Sequence, residues 1–355
     1  MYLHMIIYEG IESSYTERFI NFIRQNFDGT EHMFVMFSRS HRYDSLDNIY
    51  YIDPSSRKDL SWLKSQASDC HKIMVHSLFD TRTIIWLLSH KRFLNKVSWI
   101  LWGGDLYNYW IADSHNLKSR IIEIMKRKFI RNIEAIVALV YDDYLFAKQK
   151  YNTKAEYKYA FYPTPVDFEM LSHQIQHTPS STNRILVGNS ASLTNNHVEI
   201  LNALVTYKFE RDFEIVCPLS YGSSNNVDNV IKLGRELFGK RFIPVLNFMP
   251  PEEYAKLLSS IDVAIFGHKR QEGLGNILAL LYLGKKVYIR SDISTWSFLS
   301  RLGIKVFDTK RLVNNEEEKL FEFNQAIGSK NASIVEKEFS DEKCVELWRN
   351  VFDAK

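Results

Sequence analysis

The chain has 355 residues, of which 45% are hydrophobic, 25% charged and 14% aromatic. That is ordinary globular composition, enough for two domains with cores of their own, and it excludes a disordered or coiled-coil protein. Lys and Arg total 45 against 42 Asp and Glu, a formal charge of +3, which is too balanced for a dedicated nucleic-acid binder. From the amino end, residues 3–8 read as a first strand. Ser13 or Ser14 then caps a helix whose Phe19, Ile20, Phe22, Ile23 and Phe27 share one face. Further strands are expected at 33–37, 72–76, 97–102 and 135–140, and the series restarts at 185–187, 213–217, 261–266, 286–290 and 305–307. Buried runs of this length separated by helices mean parallel β-α-β units.

The rhythm breaks between 161 and 182, where Pro163, Pro165 and Pro179 precede Ser180, Ser181 and Thr182. The reading is an N-terminal domain over 1–162, a linker over 163–182 and a C-terminal domain over 183–334, each Rossmann-like, with a cleft between them. Residues 335–355 supply a last helix, capped by Ser340. Its Cys344, Val345, Leu347, Trp348, Val351 and Phe352 form an apolar face that must dock, with the N-terminal domain as the candidate. Cys70, Cys217 and Cys344 are odd in number and far apart, so zinc and disulfide frameworks are not expected and a reducing cytoplasm fits. The first residues do not read as a signal peptide, and no run of about 20 apolar residues is seen, so a membrane span is not expected.

The most informative motif follows the strand at 261–266: His268, Lys269, Arg270, Gln271, Glu272, Gly273, Leu274, Gly275 and Asn276, then an apolar helix ending at Gly284. A glycine-rich turn opening a helix leaves backbone N–H groups free for a phosphate, and Arg270 and Gln271 add donors. The same pattern also suits a plain tight loop. Gly188, Asn189 and Ser190 end the first strand of the second half, where open parallel sheets bind ligands. Tyr221 ends the next strand, as a nucleobase stacker or a half-buried ring. In the first half, Trp102-Gly103-Gly104-Asp105 ends a strand; Asp105 is either a general base or the cap of the next helix. His76 also ends a strand, as a second catalytic candidate or a structural histidine. No D-x-D, H-E-x-x-H, G-x-S-x-G or Walker A sequence occurs, so no metal or cofactor is expected. Along 118–133, Lys118, Arg120, Lys126, Arg127, Lys128 and Arg131 surround a stripe of Ile121, Ile122, Met125, Phe129 and Ile133. Such a helix can lie on an anionic membrane surface or be an ordinary crossover with a basic rim.

These runs together resemble the family-56 glycosyltransferases. The shared pattern comprises His76 with Phe79, Trp102 through Tyr107, Pro163-Thr164 with Asp167, and Ile185 through Ser190. Asn195, His197, Pro218, Tyr221, Arg270-Gln271, Gly273, Gly275 and Trp296 complete it. Gly104, Ser220 and Asn276 depart from the family's residues, which are Ala, Gly and Thr. The resemblance implies a GT-B fold with the donor in the second domain and the acceptor in the first. It also implies transfer of an N-acetylfucosamine-like sugar from TDP to an undecaprenyl-diphosphate-linked saccharide, at the inner face of a bacterial inner membrane. A nucleotide-sugar epimerase or hydrolase, or a non-catalytic nucleotide-sugar binder, would share the architecture. The epimerase or hydrolase would need no lipid acceptor; titration with TDP and UDP, then an assay of transfer to a lipid-linked acceptor, separates the three.

Overall fold

Short runs of Val, Ile, Leu, Met and Phe can be buried on both faces only when helices cover a parallel sheet from each side. The computed structural model of the protein describes residues 1–6, 14–38, 48–112, 114–163, 167–173, 183–209, 212–316 and 319–353. It forms two units: residues 1–165 with 341–355, and residues 166–340. The expected linker positions 164–166 and 174–182, with Ser13 and residues 7–8, lie outside the described residues.

The first unit runs β1 (Tyr2–Met5), α1 (Ser14–Asn26), β2 (His32–Phe37), β3 (Ile49–Ile52), α2 (Arg57–Asp69), β4 (Lys72–His76), α3 (Thr81–Ser89), β5 (Val97–Ile100), α4 (Gly104–Tyr107), α5 (Leu117–Ile130), β6 (Ala135–Ala138), α6 (Tyr141–Tyr151) and β7 (Glu156–Tyr159). Its sheet order is β3-β2-β1-β4-β5-β6-β7, with every pairing parallel. The second unit runs α7 (Phe168–Ser172), β8 (Asn183–Val187), α8 (His197–Leu204), β9 (Phe213–Pro218), α9 (Ser224–Phe238), β10 (Phe242–Val245), α10 (Pro251–Ser259), β11 (Val263–Ile265), α11 (Leu274–Tyr282), β12 (Lys286–Ile289), α12 (Ser294–Arg301), β13 (Phe307–Asp308), α13 (Thr309–Val313) and α14 (Gln325–Glu338). Its order is β10-β9-β8-β11-β12-β13, again parallel throughout. Strand order therefore reverses between β1 and β4 in one sheet and between β8 and β11 in the other. Those are the points where a crevice opens beyond the carboxyl ends.

The strand at 72–76 matches its expected limits and most others shift by one to three residues, while β3, β7 and β10 have no counterpart in the sequence reading. Local chemistry explains several boundaries. Ser56 accepts from Asp59 N and donates its hydroxyl back to the Asp59 carboxylate, which closes the first turn of α2. Gly234 lets α9 lie against β10, since a Cβ there would come within 2.5 Å of the Phe242 ring. Residues 335–338 finish α14, and a new helix, α15 (Asp341–Asp353), begins after buried Phe339; the expected single segment 335–355 is thus two pieces in different units.

α15 packs within the first unit. It buries Cys344, Leu347, Trp348, Val351 and Phe352, and the Trp348 indole N–H donates to Phe161 O at 2.7 Å. Its rings meet Phe19 on α1 at 4.8 Å and His32 on β2 at 4.8 Å, so the helix lies beside α1 and covers the rest of the same sheet face. Removing a fully buried Trp leaves a large cavity and takes from the Phe161 carbonyl its 2.7 Å donor, with the Cys344 thiol remaining at 3.4 Å. Trp348→Ala should destabilise the protein by about 3–5 kcal/mol. Denaturant melts check this, and an unchanged midpoint would show that the helix is not part of that core.

Candidate functional site

In the second unit, β8 and β11 deliver their carboxyl ends side by side. Gly188 follows β8 with φ +71°, and a Cβ there would sit 2.7 Å from both Asn195 Oδ1 and His197 Nε2. Only glycine combines that backbone with that closeness. The Asn189 amide donates to Asn195 Oδ1 at 2.9 Å, and the Asn189 side-chain amide donates to the Tyr221 hydroxyl at 2.9 Å. His268, three residues beyond the strand-end Ile265, points back into this loop. Its Nε2 lies 2.8 Å from Asn189 Oδ1 and 3.0 Å from Asn195 Oδ1. Both partners are acceptors, so Nε2 carries the proton and Nδ1 is bare. Burial holds this imidazole neutral, down to about 3, helped by the charges of Arg270 and His197.

Gly273, with φ +65°, brings the chain over this network: a Cβ would meet His268 at 2.8 Å and Asn189 at 3.2 Å. It is the N-cap of α11 and offers no side-chain acceptor to that helix, leaving the N–H groups around Gly275 and Asn276 uncapped. Arg270 is not a free cation. Its guanidinium is 3.2 Å from the Glu272 carboxylate, which also accepts from the Thr194 hydroxyl at 2.5 Å, and it donates to Gln271 O at 3.0 Å. Arg270 Nε is buried with no partner among the described residues. Glu272, given no role in the sequence reading, and Thr194, not named there, thus hold Arg270 in place beside the helix start.

The structure brings Gly188, Asn189, His268 and Gly273 into direct contact, places Ser190 in hydrogen-bond range of Asn195 at 3.3 Å, and leaves Tyr221 56% exposed at the rim. Two further features escaped the sequence. Phe248, in the loop after β10, is 84% exposed. A cavity of about 470 Å³ opens at the start of α8, lined by Asn196, His197, Glu199, Asn226 and Lys269. It adjoins the network through His197 and Asn196 and reaches the glycine-rich turn at Lys269, so it is an annex to that site.

In the first unit the two catalytic candidates are placed differently from the expectation. Asp105 is buried, and its carboxylate is taken by three donors: Leu78 N at 2.9 Å, Trp99 Nε1 at 2.8 Å and Trp102 N at 3.0 Å. Nor is it the N-cap of α4, since Gly103 occupies that position. Asp105 braces the loops after β4 and β5, including Ser77, whose φ of 67° is unusual for a residue with a Cβ. Burial raises its carboxyl above the ordinary range, against the pull of Trp99, the Lys126 charge and the two backbone amides. His76 is fully buried. Its Nδ1 bonds the Tyr162 hydroxyl and its Nε2 bonds His4 Nδ1 at 2.9 Å, while His4 Nε2 bonds His32 Nδ1 at 2.9 Å. Burial keeps this row neutral, with His76 near 3, His32 near 4 and His4 well below its ordinary value.

The helix at 118–133 also differs. Lys126 turns inward and donates to Asp105 O at 2.8 Å, and Arg131 donates through Nε to Tyr151 O at 2.9 Å. Neither is a simple membrane-facing charge. Of the apolar stripe, Phe129 and Ile133 are buried, as in a crossover helix, whereas Ile121 is exposed. The outward face instead carries Leu117 (75% exposed), Ile121 (48%) and Ile124 (65%), one above another at helical spacing, with exposed Lys118, Arg120 and Lys128 beside them.

A family model described as 4-alpha-L-fucosyltransferase, glycosyl transferase group 56, matches residues 19–329. Among solved structures, the UDP and glucose complex of Anabaena Alr3699/HepE aligns with TM-score 0.72 at 12% identity, covering 100% of this chain and 99% of that one. Sucrose-phosphate synthase from Thermosynechococcus elongatus aligns with TM-score 0.72 at 11% identity, covering 100% of each chain. A glycosyltransferase from Rickettsia africae ESF-5 gives 0.67 at 14% identity, over 100% of this chain and 99% of that one. At such identities the likeness establishes the fold, which is GT-B.

Replacing Asp105 by Asn puts an N–H₂ where an oxygen now accepts, so at least one buried donor faces another donor. Asp105→Asn should cost about 1–3 kcal/mol of stability. Thermal melts check it; loss of turnover with an unchanged melting temperature would instead mark Asp105 as a chemical participant.

Proposed function

The chain belongs to the 4-alpha-L-fucosyltransferase family, glycosyl transferase group 56, and on that premise we propose that it moves a 4-acetamido-4,6-dideoxygalactose-like sugar from TDP to a saccharide carried on undecaprenyl diphosphate. The observation that carries the donor half is the meeting of Gly188, Asn189, His268 and Gly273 beneath the uncapped start of α11. As the glycosidic bond forms, the bond from the sugar to the diphosphate breaks and its electron pair stays on phosphate oxygen. The N–H groups at Gly275 and Asn276, the positive end of α11 and Arg270 stabilise that developing charge, work that a divalent metal does in other transferases. Ser190 and Gln271 add short-range polar contacts, and Tyr221 offers its exposed ring to the base. His268 acts through Asn189 and Asn195: it fixes both amides and is a positioning residue. The acceptor saccharide is assigned to the carboxyl edge of the first sheet, where Asp105 shapes the loops.

Supporting a lipid-linked acceptor is the outward face of α5. An undecaprenyl chain stays in the bilayer, so the enzyme must come to it, at the cytoplasmic surface of the inner membrane. Among the described residues no helix is long and apolar enough to cross a membrane. Leu117, Ile121 and Ile124 would enter the headgroup region while Lys118, Arg120 and Lys128 meet anionic phosphates, each worth about 1 kcal/mol near the surface.

Arg270→Ala should weaken TDP binding by about 1.5–3 kcal/mol, the range for a hydrogen bond to a charged group. Glu272 would keep Thr194 but lose its cationic partner, leaving an uncompensated negative charge beside the phosphates that adds to the loss. Calorimetric titration of TDP measures this, and full affinity in the variant would remove Arg270 from the site. Transfer from the TDP-sugar to the undecaprenyl-linked acceptor tests the activity itself.

The membrane reading gives a second expectation. Changing Ile121 and Ile124 to Ser should reduce sedimentation with phosphatidylglycerol vesicles even at high salt. Changing Lys118, Arg120 and Lys128 to Glu should abolish it at low salt. Vesicle binding that survives both sets would exclude this face.

A further inference from the structure

The row Tyr162–His76–His4–His32 is a buried polar chain in the first unit to which neither donor binding nor membrane attachment gives a task. Its placement follows from the sheet. His4 on β1 pairs with Phe34 on β2, two residues beyond His32, and with Met74 on β4, two residues before His76. Steps of two keep all three imidazoles on one face, as diagonal neighbours. The row therefore climbs from the amino end of β2, through the middle of β1, to the carboxyl end of β4, where Tyr162 meets it beside Trp102, 5.3 Å between rings. That upper end is the edge at the reversal between β1 and β4, where ligands of this architecture bind.

Around the row the layer is aromatic. Phe34 stacks on His4 at 4.7 Å, Phe19 meets His76 at 4.8 Å and Phe352 meets His32 at 4.8 Å. Apolar side chains would fill these positions without the cost of burying three imidazoles. His4 and His76 each engage both ring nitrogens in the row. A neutral imidazole has one donor and one acceptor nitrogen, so the row is satisfied in two opposite proton orders.

We propose that Tyr162, His76, His4 and His32 form a proton relay that drains the acceptor hydroxyl during glycosyl transfer, an inference that rests on the proposed transferase activity. As the acceptor oxygen bonds to the anomeric carbon, its O–H bond breaks and the proton passes to Tyr162 oxygen. The Tyr162 proton moves to His76 Nδ1, the His76 Nε2 proton to His4 Nδ1 and the His4 Nε2 proton to His32 Nδ1. One proton leaves from His32 Nε2 to water at the amino edge. The shifts run backwards, onto a water in the acceptor's place, to restore the starting order. Tyr162 is the group that touches substrate; the three histidines act through it.

The test compares the intact enzyme with Tyr162→Phe, His4→Gln and His32→Phe, each confirmed folded by its near-ultraviolet spectrum. Turnover is followed with the TDP-sugar and the undecaprenyl-diphosphate acceptor in mixtures of H₂O and D₂O. The relay requires kcat to fall roughly a hundredfold, the lower end for proton-transfer catalysis, with KM for both substrates unchanged. The curved, several-proton dependence on deuterium fraction should become linear in the variants. His32→Phe, deep under β2 and far from the acceptor edge, separates a relay from local packing. Imidazole ¹⁵N spectra need no turnover: exchanging tautomers give averaged Nδ1 and Nε2 shifts in the intact enzyme and a single fixed order in His32→Phe. Full kcat in a folded His32→Phe, or fixed tautomers in the intact enzyme, overturns the relay. An intact enzyme that transfers no sugar while its rings exchange overturns the transferase reading instead.

Discussion

Every strand pairing in both sheets is parallel, and the rest of the molecule follows from that. Parallel neighbours need a crossover between them, so helices cover both faces and the strands become short, apolar and buried. All carboxyl ends then lie along one edge of each sheet. At the point of reversed order the two flanking helices depart to opposite faces, and backbone groups at that edge are left without strand partners. Both units fill that gap with buried polar side chains, on the loops in the second unit and on strands and a helix start in the first. In the second unit these are Asn189, Asn195 and His268; in the first, Asp105 and the row above His32. Each arrangement uses a backbone turned to positive φ just past a strand, at Gly188 and at Ser77.

The same constraint decides what was readable in the sequence. Central strands announce themselves as apolar runs, and β4 was legible to the residue. The three strands that were not foreseen, β3, β7 and β10, are all sheet edges. An edge strand is half solvated, so β7 reads Glu-Tyr-Lys-Tyr, and β10 contains Pro244, which an edge tolerates and an interior strand does not. The glycine-rich turn was legible because glycine leaves a local trace when a backbone must approach closely. Side-chain partners left none. His4, His32 and His76 are separated by 28 and 72 positions and become neighbours only through the order β2-β1-β4. Glu272 looked like a stray charge until its contacts with Arg270 and Thr194 were visible. The basic helix misled for a related reason. Charge count along α5 is a property of the sequence, whereas the inward turn of Lys126 depends on a carbonyl 21 residues away.

Buried polar groups of this kind carry a specific risk and a specific return. An unmet donor or acceptor in a low-dielectric interior costs more than the bond it would have made contributes. Such clusters are therefore tolerant only as complete sets, which ties loop geometry at the sheet edge to residues far from any ligand. His268 illustrates this: a positioning residue need not touch the donor, yet it fixes both amides that shape the loop after β8.

The return of α15 to the first unit has a consequence for how the chain is made. Residues 1–165 leave the ribosome before the helix that completes their core, and the whole second unit is synthesised in between. At about 5–20 residues per second the wait is on the order of ten seconds or more. During that interval Phe19, His32 and Phe161 lack the cover of Trp348 and Phe352. An aromatic surface of that kind is a binding site for chaperones and a starting point for aggregation, so the nascent first unit is the vulnerable species. The second unit, whose residues are contiguous, can close its own core as soon as it emerges. Expression yield would then be set less by the finished protein's stability than by how quickly residues 341–355 arrive.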